Sequence, residues 1–180
     1  MRGIVFTEFL EFVDQVAGPE MTEKMIDACD LGSGGAYTSV GTYDHLEMID
    51  MLVFLHNATG NEVSEMVTAF GQHLFGQLAD SHAEILKDQK EILNFLEGIE
   101  SHIHSEVRKL YPDAELPTFK TDRISEGELV MHYESTRPFG DLAYGMIKGA
   151  ADYFGSSLTV KREDKNEGDL NRSRFDVAIA

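Results

Sequence analysis

The sequence predicts an α+β fold, with a helical amino-terminal lobe followed by a lobe that carries a long helix and an antiparallel sheet. Three observations lead there. Apolar residues recur at helical spacing through the first part of the chain, and the four prolines, at 19, 112, 117 and 138, leave long segments between them uninterrupted. Beyond Pro117 the texture changes to a strand, a helix and two further strands. The polar stretch "EDKNEGDLN" joins the last two strands as a loop, which makes an antiparallel arrangement. At 180 residues the chain forms one domain, read as a helical lobe over 1–62 and an α+β lobe over 63–180.

Each element has its own signal. Residues 3–16 place Val5, Phe9, Phe12, Val13 and Val16 at helical spacing. Residues 20–30 form a second helix that stops before the glycine-rich turn "LGSGGAY". "TYDHLEMIDMLVFLHNATG" is a helix closed by Gly60. In "NEVSEMVTAFGQHLFGQLADSH", Phe70, Leu74 and Leu78 stack at i, i+4 and i+8 on one face. The longest helix is expected from about Ala83 to Leu110, where Ile92, Leu96, Ile99, Ile103, Val107 and Leu110 make an apolar seam. Pro112 ends it, because proline disfavours helix at the residue before it, and Pro117 keeps the next segment extended. A strand over 128–136, a helix over 139–154 ending at Gly155, and strands over 157–162 and 172–179 complete the chain.

Composition narrows the partners. Fifteen basic residues against 32 acidic ones give a formal charge of −17, a surface that repels nucleic-acid backbones and anionic membranes. Cys29 is the only cysteine, so no intrachain disulfide and no cysteine-built zinc or iron–sulfur site can form. The opening "MRGIVFTEFLEFVDQV" breaks its apolar run with Glu8 and Glu11, so it is read as neither a signal peptide nor a membrane span. A reduced, cytoplasmic protein is expected.

Two constellations carry chemistry. His102 and His104, in "ESHIHSEV", lie two apart within a helix, where their directions diverge by roughly 200° and they cannot share one metal. Each sits about 100° to one side of the apolar seam, so periodicity does not choose between them. The other histidines have no zinc-like spacing. No G-x-S-x-G, P-loop or G-x-G-x-x-G occurs. In "LVMHYESTRPFG", period-two geometry puts Leu129, Met131, Tyr133, Ser135 and Arg137 on one face. Arg137 offers a planar fork of donors and two hydroxyls stand beside it, a set suited to carboxylates at the mouth of an apolar cavity.

The order of "MRGIVF", "HSEVRKLYPDAELPTF" and "YESTR" resembles the H-NOX family, the haem nitric oxide/oxygen-binding domains related to the haem domain of soluble guanylate cyclase. The resemblance runs over essentially the whole chain and is of the stand-alone bacterial kind. It implies haem b (iron protoporphyrin IX) as cofactor. It implies His104, seven residues before Tyr111 of the Tyr–Pro pair, as the proximal iron ligand. Tyr133, Ser135 and Arg137 would grip the haem propionates, and Pro117 would press on the macrocycle.

The resemblance also implies a gas preference. Oxygen-binding members place a tyrosine five residues beyond the arginine of Y-x-S-x-R, and here that position is Leu142. Leu74 stands where those members carry a supporting amide, and Phe9 where they carry an indole. Val5, Leu78 and Met146 complete an apolar lining. Bound O₂ becomes polar and is retained by a distal donor, whereas NO binds ferrous iron without one. The expectation is therefore a sensor, not an enzyme, that binds NO, with CO possible and O₂ not stably held. NO would break the His104–iron bond, the lobes would shift, and a histidine kinase or cyclic-di-GMP enzyme would be regulated. Two competing classes are a haem-free binding module for an acidic small molecule and a haem peroxidase or oxygenase. The second needs polar distal acid–base groups or a thiolate ligand, and the leucine-lined side supplies neither.

Overall fold

Gly18 takes φ +85°, which ends helix α1 (Gly3–Ala17), and Pro19, with no N–H to lose, opens α2 (Pro19–Ala28). The computed structural model describes residues 1–87 and 89–180. Helix α1 turns Phe6, Phe9 and Val13 inward, and each such side chain contributes roughly 1.5–3 kcal/mol by leaving water. The glycine-rich segment that follows α2 is a clasp. Buried Glu47 accepts from Ser33 Oγ at 2.5 Å and Tyr37 Oη at 2.7 Å, while Gly41 O and Ser39 O accept from the N–H groups of Gly3 and Ile4. Gly3 has no alternative there, since a Cβ would lie 1.8 Å from Thr38 O.

Helix α3 (His45–Thr59) starts where the Asp44 carboxylate accepts the Leu46 N–H at 3.0 Å and closes at left-handed Gly60. Helix α4 (Val63–Ser81) serves two cores. Its Val67, Phe70 and Leu74 join Phe6, Phe9, Met48 and Met51, while its Phe75 and Ala79 join the inner face of the sheet. The chain continues through α5 (Ala83–Leu86), α6 (Ile92–Glu97), a π-helical turn (Ile99–Ile103) and α7 (His104–Leu110). Strands β1 (Thr118–Ser125) and β2 (Glu128–Ser135), helix α8 (Gly140–Tyr153), and strands β3 (Leu158–Asp164) and β4 (Asn171–Ile179) follow.

The four strands form one antiparallel sheet in the order β1-β2-β4-β3, with Phe119 opposite Tyr133 and Tyr133 opposite Ser173. Leu129, Met131, Tyr133, Phe175 and Val177 line its inner face, against α6 and α8. Helices α4 and α8 meet backbone to backbone: a Cβ on Gly145 would fall 2.1 Å from Thr68 O, and one on Gly71 would fall 2.5 Å from Leu142 O. Arg2 ties the segment before α3 to the chain just after α7. Its guanidinium bonds Val40 O at 2.8 Å and Thr42 Oγ1 at 3.2 Å, lies 4.3 Å over the Tyr111 ring, and pairs with Asp113.

The fold class is as expected, with two differences in detail. The segment from Ala83 to Leu110 is not one helix but α5, α6, the π-helical turn and α7. Residues 118–125, expected only to be extended, pair with β2 as a fourth strand. Their pattern hides this, because Phe119 is the one buried residue of β1.

Candidate functional site

Backbone bonds in a helix usually close between residues four apart, but here the register slips just before His104. His102 N–H bonds Gly98 O at 2.8 Å, Ile103 N–H reaches back five residues to the same oxygen at 3.4 Å, and His104 N–H bonds Ile99 O. A turn one residue wider carries everything after it round by about 100°, and such turns gather at functional sites. That rotation swings His104 in and the seam out. The His104 side chain is 12% exposed, whereas Leu110, expected on the seam, is 62% exposed. His102 stays on the surface.

The His104 ring is fixed by a carboxylate. Nδ1 stands 3.0 Å from Glu100 Oε2, and because a carboxylate only accepts, Nδ1 carries the hydrogen and Nε2 keeps its lone pair. Glu100 Oε2 also accepts the Phe119 N–H at 3.1 Å, and Oε1 takes Arg108 Nη2 at 2.8 Å. Burial holds the His104 pKa below its ordinary 6.5 against the pull of Glu100, so the imidazole is neutral at pH 7. Burial pushes the Glu100 carboxyl up, but the bonds from Arg108, Phe119 and His104 outweigh it and hold it below its ordinary value.

Pro117 is half-buried at the entrance to β1. Two residues on, the Phe119 ring lies 5.8 Å from His104 and 5.5 Å from Tyr133, and so joins the ligand histidine candidate to the hydroxyl rim. Tyr133 is 3% exposed, and burial raises its pKa while Ser135, Arg162 and Arg137 oppose, so it remains a neutral donor. Arg137 is not on the strand as expected. Strand β2 ends at Ser135, and Ser135 Oγ accepts the Arg137 N–H at 3.0 Å to close a bend ahead of Pro138. The Arg137 fork then reaches Glu115, bonding its backbone O at 3.0 Å and its carboxylate.

The six residues of the expected gas-binding wall share one cluster. Phe9 and Leu74 are buried in it, and Val5, Leu78, Leu142 and Met146 pack against it half-buried. The close approach of α4 and α8 at Gly71 and Gly145 brings Leu142 and Met146 beside α4. None of the six side chains carries a hydrogen-bond donor. A cavity of about 10 Å³ opens beside Val5 and Leu142, walled also by Val67, Phe70 and Phe139, and has no polar lining to hold a water.

The donors present fit a haem. A neutral imidazole with one nitrogen engaged is the ordinary state of a metal-bound histidine, and Arg137 already holds a carboxylate, the chemistry of a propionate. Among the described residues, no group of three or more His, Cys, Asp or Glu side chains could hold a bare metal ion. Sequence reasoning missed Glu100, Arg108, Phe119 and Glu115. Glu100 had a signal, since it lies four residues before His104 on the same helical face.

Comparison with known proteins finds a matching family and similar solved structures. The family described as Haem-NO-binding matches residues 2–162. The solved structure of the Fe(II) unliganded H-NOX protein from K. algicida is 36% identical with a TM-score of 0.94, covering 100% of this chain and 97% of that one. The IWP-051-bound H-NOX from Shewanella woodyi, in its Fe(II)CO state, is 38% identical with a TM-score of 0.84 over 100% and 95%. The S. oneidensis H-NOX in its Fe(II)NO state shares the fold, at 22% identity and a TM-score of 0.90 over 100% and 99%. Curated proteins give no match.

Proposed function

The chain belongs to the haem-NO-binding family of H-NOX gas-sensing domains, and from that membership we propose that it senses nitric oxide at a ferrous haem b held by His104. The observation that carries this reading is the buried, neutral His104, with Nδ1 fixed by Glu100 and Nε2 left for iron. When bound, the haem would supply a ferrous iron able to take a diatomic gas. His104 would hold that iron through Nε2. Tyr133, Ser135 and Arg137 hold the propionate edge, and Pro117 bears on the ring face.

Phe9, Leu74 and Leu142 offer no proton to polarised O₂, so NO is bound, CO is tolerated and O₂ is not retained. His104 is the tether between iron and α7. Release of Nε2 on uptake of NO would free α7 to shift relative to the helical lobe, a two-state element biased by ligand. The shift is read by a partner of the histidine kinase or cyclic-di-GMP enzyme class, for which an acidic surface of net charge −17 suits a basic patch.

The test is the absorption spectrum of the purified ferrous protein, alone, in air and with NO. A spectrum unchanged by air and five-coordinate with NO is expected. A stable oxygen complex, or a protein that takes up no haem, overturns the reading.

A further inference from the structure

Glu100 divides its two oxygens between a neutral imidazole and a guanidinium. Oε2 holds His104 Nδ1 at 3.0 Å and the Phe119 N–H at 3.1 Å, while Oε1 holds Arg108 Nη2 at 2.8 Å. A carboxylate on Nδ1–H draws that proton and so enriches Nε2 in electron density, which strengthens its bond to a metal. A guanidinium on the same carboxylate withdraws negative charge from it and weakens the effect. We propose that Glu100 is the positioning residue that sets the strength of the His104 tether, with Arg108 as its counterweight; this rests on the reading of His104 as the iron ligand. The Phe119 bond adds a mechanical role. It fixes Glu100 to the start of strand β1, two residues beyond Pro117, so the imidazole is oriented by the strand as well as by its own helix.

Glu100 and Arg108 therefore act on the tether with opposite sign, which separates tuning from mere support. The experiment is resonance Raman spectroscopy of the ferrous haem-loaded protein, reading the iron–histidine stretching band, with the NO-treated absorption spectrum as second readout. Glu100→Gln keeps shape and loses charge, so the band falls. On NO addition the balance between attached and detached His104 moves toward detachment by roughly tenfold or more. Arg108→Ala leaves the carboxylate charge undivided, so the band rises and detachment lessens. A Glu100→Gln band at the parent position, or both variants shifted downward, overturns the proposal while leaving His104 as ligand. If Glu100→Gln does not load haem, the direction of the Arg108→Ala shift decides alone. Failure of the parent reading looks different: His104→Gly leaves the parent spectrum intact.

Discussion

Arg137 is held at both its backbone and its side chain, with its guanidinium fork engaged to Glu115. Its side chain is 15% exposed, its N–H is fixed by Ser135, and its fork points at the Glu115 carboxylate. Arg137→Ala removes charge-assisted bonds of about 1.5–3 kcal/mol each, so haem should leave at least roughly tenfold faster. Transfer of haem to an excess of apomyoglobin measures this, and an unchanged rate removes Arg137 from the rim. Arg137→Lys keeps the charge but not the fork, and should fall between the two. At this scale the sequence was legible where chemistry is concentrated in residue type, as in Tyr133, Ser135 and Arg137. It was mute on Glu115 and Arg108, whose importance comes from neighbours that the fold supplies across 22 residues in one case and by a shared carboxylate in the other.

Among the elements, α1 to α4, α8 and the strands β2, β3 and β4 were readable because their side chains repeat at the period of each element, whereas α5, α6 and α7 were expected as one helix. The π-helical turn was not readable, since no composition marks it, and its effect was to break the expected seam after Ile103. The same turn sets His104 inward and leaves His102 exposed, a difference that α-helical arithmetic did not give. The close crossing of α4 and α8 gives a sharper prediction. A methyl on Gly145 would collide with Thr68 O, a backbone atom that cannot swing aside. Gly145→Ala should cost about 1–3 kcal/mol or more, visible as a lowered Tm, and by parting the helices should widen the space beside Leu142 and Met146. An unaltered Tm would show that the helices separate without cost.

For the molecule as a whole, Arg162 fastens the far end of the sheet to the helices. It bonds Asp164 at 2.8 Å and the carboxylate of Asp141 in the first turn of α8, and Asp141 in turn accepts Ser64 Oγ from α4 at 2.9 Å. Burial raises the Asp164 carboxyl, but Arg162 and Ser173 outweigh it and leave its pKa below the ordinary 3.8. A lowered carboxylate pKa adds stability that is complete above 3.8 and disappears as pH falls through the folded value. Asp164→Asn should therefore lower Tm at pH 7, and the gap from the parent should close as pH is taken below about 3.8; a gap independent of pH would count against this. No helix among the described residues is long and apolar enough to cross a membrane. Arg2 has a reach of only one side chain, yet it grips the Val40–Thr42 loop with its nitrogens and lies flat on Tyr111 at the exit of α7. Should that exit travel further than one guanidinium can span, either the loop is dragged along or the stack parts. The amino terminus thereby works as a strain gauge for the histidine-bearing segment.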